Sequence, residues 1–130
     1  MLATRHYSNN QCTWLLNNGV PRSNFANVAR KIACVPEKEL AEVAGLSQRT
    51  ISRMKPDQLL PPQNAEVIIS ILRTWGRAVE VFEDEDTART WLKTPLKILD
   101  GKTPLEATGN RFGAELVLDL LGRIEHGVYS

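Results

Sequence analysis

Glu37-Lys-Glu-Leu-Ala-Glu-Val-Ala-Gly-Leu-Ser-Gln-Arg-Thr-Ile-Ser-Arg-Met54 is the most informative stretch of the chain. Two short helices crossing at a steep angle need a small residue where they touch and a turn residue that tolerates positive φ. They also need apolar side chains pointing into the wedge between them. Ala41 is the small residue, Gly45 stands where the first helix has to end, and Leu40, Ala44, Leu46, Ile51 and Met54 supply the wedge. Ser47 is placed to cap the second helix. The pattern predicts a helix-turn-helix that leaves Gln48, Arg49, Thr50, Ser52, Arg53 and Lys55 facing outward.

The stretch resembles DNA-binding helix-turn-helix motifs of the phage-repressor type. Gln bonds adenine bidentately, Arg bonds guanine, and Ser and Thr reach phosphates or base edges in the major groove. No acid interrupts the run from Ala44 to Pro56. The second helix is therefore the candidate recognition helix, with Gln48, Arg49, Thr50, Ser52, Arg53 and Lys55 as candidate DNA contacts. The plainer reading is a helical hairpin whose polar face is merely solvated. Few bases can face one duplex at a time, so a homodimer reading a palindromic operator is expected.

Working outward, the chain has 130 residues and a formal net charge of +1, but the two halves differ. Residues 1–56 carry eight bases against three acids, +5, and residues 57–130 carry eight bases against twelve acids, −4. Such a reversal suits a polyanion-facing segment joined to one with another task. With 42% hydrophobic residues the chain has material for a core, which excludes disorder throughout. No apolar run approaches the ~20 residues that span a bilayer, and Met1-Leu2-Ala3-Thr4-Arg5 is not followed by a signal-peptide stretch. A cytoplasmic protein with no membrane partner is expected.

Strand-like alternation is almost absent, whereas spacings of three and four recur. The fold class read from this is all-α: an N-terminal helix-turn-helix region over residues 1–60 and, from the Pro61-Pro62 step, a long helix with a small C-terminal helical domain over residues 61–130. Helices are expected at about 22–34, 37–44, 47–54, 63–83, 85–93, 103–108 and 113–126. In the longest, Ile68, Leu72, Trp75, Val79 and Phe82 form a core stripe, and Val67, Ile69 and Ile71 widen it beyond one face. That helix is either central in the monomer or covered in a dimer. The acidic turn Glu83-Asp84-Glu85-Asp86 stops it and suits the positive end of the next helix. Gly113 is expected to open the last helix, Gly122 to permit close approach of another backbone, and Gly127 to end the helix in the left-handed conformation.

From Trp75 onward the order of elements becomes specific. Ala78-x-x-Val81-Phe82, Ala88-x-x-Trp91-Leu92-x-x-Pro95, Leu99-x-Gly101-x-x-Pro104-Leu105, Gly113-Ala114-Glu115-x-Val117, and Leu120-Leu-Gly-Arg-Ile-Glu-His-Gly-Val-Tyr-Ser130 follow in succession. The succession resembles the Xre/MbcA/ParS toxin-binding antitoxins, partners of RES-domain toxins. The upstream helix-turn-helix sits where that family has its Xre-like DNA-binding region. The resemblance implies an antitoxin of a type II toxin-antitoxin system that blocks the pocket of a NAD-degrading RES-domain enzyme with its C-terminal region. It further implies autoregulation through operator DNA, and a homodimer within a larger hetero-oligomer. The toxin-binding positions it points to are Arg123, Glu125, His126, Val128, Tyr129 and Ser130, supported on the face of Leu116 and Leu120. A bare terminus that frays beyond a helix cap is the alternative for this tail.

Other chemistry is not indicated. No paired-carboxylate, Ser/His/Asp or Cys/His arrangement stands out, and no Gly-rich phosphate loop is present. No cofactor, metal site or catalytic residue is expected, and the chain reads as a non-enzyme. His126 suits a helix C-terminus better than a reaction. Cys12 and Cys34 have no metal-ligand spacing, and Cys34 is expected to be a small buried apolar residue. The alternative function is a stand-alone helix-turn-helix transcription regulator whose C-terminal domain dimerises.

Overall fold

The structure, a computed structural model, describes residues 9–127, with the side chains of Asn9 and Asn10 outside the description. Among these residues eight α-helices follow in order: α1 Asn9–Asn18, α2 Arg22–Asn27, α3 Glu37–Ala44, α4 Gln48–Arg53, α5 Pro62–Phe82, α6 Glu85–Leu92, α7 Pro104–Ala107 and α8 Arg111–Glu125. A π-helical turn, Val28–Ala33, extends α2, and a 3-10 turn, Lys97–Leu99, stands between α6 and α7. The described residues contain no β-strand, only one antiparallel bridge between Pro21 and Leu59. The all-α expectation holds.

The long helix α5 is central. Ile68, Ile71, Leu72, Trp75 and Ala78 are each at most 1% exposed and Ile69 is 4%, so the wide apolar arc is buried within one chain. Each large side chain so buried contributes about 2 kcal/mol, against less than about 1 kcal/mol for an exposed ion pair. Burial on α5 therefore holds the fold. The pairs Glu66–Arg111 and Arg77–Glu125 join α5 to α8. Residue numbers rise together along both helices, so the two run parallel. Val117, Leu120 and Leu121, at i, i+3 and i+4, are the buried face of α8.

One core cluster extends from Cys12 to Leu121 through both halves. Arg89 of α6 strengthens that joint. Its guanidinium lies 5.1 Å from the Trp75 ring centroid, and its Nε donates to the Ile32 carbonyl at 2.9 Å. Lys93 Nζ donates to the Cys34 carbonyl at 3.2 Å. Carbonyls that the π-helical turn leaves open at its C-terminal end are thus satisfied from α6.

Three details depart from the sequence reading. Helix α1 was not expected, because Asn-rich polar residues with buried Cys12 and Leu15 make a weak periodic signal; packing on α5 supplies what propensity does not. Cys34 is exposed rather than buried. It ends the π-helical turn in the left-handed conformation, φ 54°, and its Sγ lies 3.5 Å from the Arg30 carbonyl oxygen. Gly113 does not open α8. Asn110 caps it by accepting from the Gly113 N–H at 2.8 Å, and Gly113 sits in the first turn against α7. A Cβ there would collide with the Ala107 carbonyl oxygen.

Candidate functional site

The helix-turn-helix forms as its sequence requires. Gly45 ends α3 at φ 78°, Ala41 is 1% exposed at the crossing, and Leu40, Ala44, Leu46 and Ile51 fill the wedge with half-buried Met54 beside them. Ser47 is extended and its Oγ accepts from the Thr50 N–H at 3.0 Å, which starts α4. Gln48, Arg49, Thr50, Ser52, Arg53 and Lys55 are all exposed. Two of them have local partners: the Thr50 hydroxyl lies 2.8 Å from Ser47 Oγ, and Ser52 Oγ donates to the Arg49 carbonyl at 3.1 Å. The side chains of Gln48, Arg49, Arg53 and Lys55 make no hydrogen bond or ion pair among the described residues and stand open to a ligand.

Two positioning side chains escaped the sequence reading. Arg22, counted there only as a charge, donates from Nε to the Ile51 carbonyl at 3.0 Å and forks onto Glu37 at 2.8 and 3.3 Å. Its guanidinium lies 5.6 Å from the Phe25 ring centroid. It ties α2, α3 and α4 together, and this fork is committed to structure. Asn64 of α5 donates from Nδ2 to the Ala44 carbonyl at 2.7 Å, capping α3 across the Pro61-Pro62 step. Neither contact has a local sequence signature, since the partners lie 15 to 29 residues apart.

At the other end of the molecule, charged side chains are held. Arg123 pairs with Asp119 one turn earlier at 2.8 Å. Glu125 accepts two bonds from Arg77 of α5, at 2.6 and 3.3 Å, and Arg77 also reaches Glu80 at 3.3 Å. The hydrogen bond from Arg77 holds the Glu125 carboxyl below its ordinary range, and Glu125 in turn raises the Arg77 guanidinium. His126 is the exposed C-cap of α8, and Gly127 follows at φ 73°, as expected of a left-handed terminator. Leu116 is half-buried, but Leu120 is fully buried and reaches no external surface. The reason is helical phase: Leu120 shares the core face with Val117 and Leu121. Val128, Tyr129 and Ser130 lie outside the described residues.

Local caps support this end. Asp84 accepts from the Thr87 N–H at 2.8 Å and from the Thr87 hydroxyl at 2.7 Å, which holds its carboxyl below the usual range and starts α6. Thr103 and Glu106 form a reciprocal capping box on α7. Between α5 and α8 a groove of about 400 Å³ opens, with Leu16 of α1 at its edge. Among the described residues no three metal-ligating side chains converge and no helix is long and apolar enough to cross a membrane.

Comparison with known proteins bears most directly on this C-terminal half. Residues 77–127 match a family model described as the antitoxin Xre/MbcA/ParS C-terminal toxin-binding domain. The match begins in α5 and runs through α8. A protein named Antitoxin Xre from Yersinia enterocolitica is 35% identical over 100 residues, covering 75% of this chain and 68% of the relative. An Antitoxin Xre from Photorhabdus laumondii is 29% identical over 118 residues, covering 89% of this chain and 79% of that relative. Both alignments are longer than the toxin-binding domain and so take in sequence upstream of it.

Proposed function

We propose, from the premise that this chain belongs to the Xre/MbcA/ParS antitoxin family, that it neutralises a RES-domain toxin through its C-terminal region and represses its own operon through α4. The observation that carries this reading is one molecule with two dissimilar exposed surfaces. A basic helix, α4, stands at one, and at the other the matched toxin-binding domain carries Arg123, Glu125 and His126, followed in the sequence by Val128, Tyr129 and Ser130. An aromatic side chain supplies rigid contact area, and a guanidinium supplies bidentate pairing, both suited to filling an enzyme pocket. Leu120 and half-buried Leu116 set the orientation of α8 beneath that surface.

On the DNA side, Gln48, Arg49 and Arg53 read base edges or phosphates while Lys55, just beyond α4, meets the backbone. Thr50 and Ser52 contribute less, because their hydroxyls already serve the helix. A single α4 offers few cations, so the operator is met by two copies on a palindrome. Co-expression with a RES-domain enzyme encoded beside the gene tests the reading. Growth and cellular NAD should be preserved and the two proteins should co-purify; unrelieved NAD loss with no complex would refute it.

A further inference from the structure

We infer that Phe112, on the outward face of α8, is a second anchor for the toxin, standing outside the pocket that the C-terminal residues fill. The inference rests on the toxin-binding reading and adds a contact to it. Five large apolar side chains are exposed among the described residues. Trp14, Leu16 and Leu59 lie upstream of the matched residues 77–127, whereas Ile98 and Phe112 lie inside them. Phe112, 80% exposed, is the most exposed of the five.

Helical phase divides α8 into three faces. Val117, Leu120 and Leu121 enter the core, and Arg111, Ala114 and Leu118 line the groove towards α5. Phe112, Leu116, Asp119 and Arg123, at steps of four, three and four, form the remaining stripe. Phe112 begins it, Leu116 follows half-buried against the core, and the Asp119–Arg123 pair at 2.8 Å completes it. One helix face thus leads from an exposed ring to Arg123, the first of the residues proposed for the toxin's pocket. The distance is about 16 Å at 1.5 Å per residue.

Nothing within the chain calls for a phenyl ring at this position. Phenylalanine is a middling helix former, and a ring so exposed covers little of the core. The turn that presents it is nevertheless fixed. Asn110 caps α8 by accepting from the Gly113 N–H at 2.8 Å, and Gly113 lies directly against the Ala107 carbonyl. An aromatic side chain on a fixed turn gives up only two torsions on binding, so it anchors at low entropic cost.

The stripe also selects its partner. Its one acid and one base already pair with each other, which leaves no free cation for a polyanion. A protein surface with an apolar hollow fits instead: the ring enters the hollow, and the Asp119–Arg123 pair borders it as a polar rim. The family match supplies that protein, because the whole stripe lies within the toxin-binding domain.

The test is calorimetric titration of the full chain into the RES-domain enzyme encoded beside the gene, with circular dichroism and sedimentation velocity on each variant. Phe112→Ser should keep the wild-type fold and oligomeric state yet raise Kd for the enzyme about 30-fold, while Phe112→Leu stays within about fivefold. Trp14→Ser, an exposed aromatic removed outside the matched domain, should stay within about twofold of wild type. Combined with Arg123→Ala, the loss from Phe112→Ser should multiply, because contacts about 16 Å apart act independently. At saturation Phe112→Ser should still protect NAD completely, since the ring stands outside the pocket. A wild-type Kd for Phe112→Ser, or an equal loss with Trp14→Ser, would overturn the anchor and leave the toxin reading intact. A changed oligomeric state would place Phe112 against a second copy, and incomplete protection at saturation would place it in the pocket; either overturns the assignment. No binding by the wild type would remove the toxin reading and the anchor with it.

Discussion

On α4 and just beyond it the side chains of Gln48, Arg49, Arg53 and Lys55 are without ion-pair or hydrogen-bond partners among the described residues, whereas at the end of α8 Arg123 and Glu125 are each paired, to Asp119 and to Arg77. A polyanion presents phosphates in excess, and affinity comes from cations that are free to release its counterions. A protein surface presents a few charges in fixed places, and affinity gains when the matching side chains are already held in one rotamer. Exposed pairs are worth less than about 1 kcal/mol, so Arg123 can exchange Asp119 for a partner's carboxylate at small cost. One end of the molecule is left open, the other is arranged in advance.

The largest expected effect strikes the open end. Arg49→Ala combined with Arg53→Ala should weaken operator binding about 100-fold, at ~1–3 kcal/mol for each specific arginine contact. Unfolding free energy should stay within about 0.5 kcal/mol, because both side chains are exposed. Unaltered gel shifts would break the comparison by showing that free cations on α4 are not DNA contacts. Next, Gly113→Ala should destabilise by about 3 kcal/mol in urea titration, since its methyl would collide with backbone at Ala107. Arrangement at the held end begins with this close approach of α7 and α8. A variant as stable as wild type would deny it.

Arg22→Ala sharpens the contrast from within the basic half. It removes the hydrogen bond to Ile51 and the fork on Glu37, both part-buried, for an expected loss of about 2 kcal/mol. Operator affinity should fall with it, through α4 and not through lost phosphate contact, so the salt dependence of binding should keep its slope. A reduced slope would make Arg22 a phosphate contact instead. The smallest effect is on pH. Asp84 and Glu125 both have folded-state carboxyls below their ordinary range. What each contributes is present above the unfolded value near 4 and is lost as pH falls through the lowered one. Thermal scans should show a modest fall in Tm below about pH 4, diminished by Asp84→Ala and by Glu125→Gln.

Legibility in the sequence tracked distance along the chain. The wedge of the helix-turn-helix, the Ser47 and Asp84 caps and the left-handed Gly45 and Gly127 are local devices, and each was readable from residue type and spacing. Contacts made across the fold were not. Arg22 is only one of eight bases in the charge count until its bonds to Ile51 and Glu37 are placed, and Arg77 carries no local signal although it orders Glu125 from 48 residues away. Helix α1 lacks a periodic signal because two buried side chains suffice to seat it on α5. Leu120 misled for a related reason. Apolar residues nearly encircle α8, and only packing tells which belong to the core.

The most direct test removes residues 123–130 and asks for both activities of one protein. Expressed with its toxin, the truncated chain should leave cells unprotected, while the purified protein, folded by circular dichroism, should bind operator DNA with wild-type affinity. Full protection by the truncated chain would contradict the account.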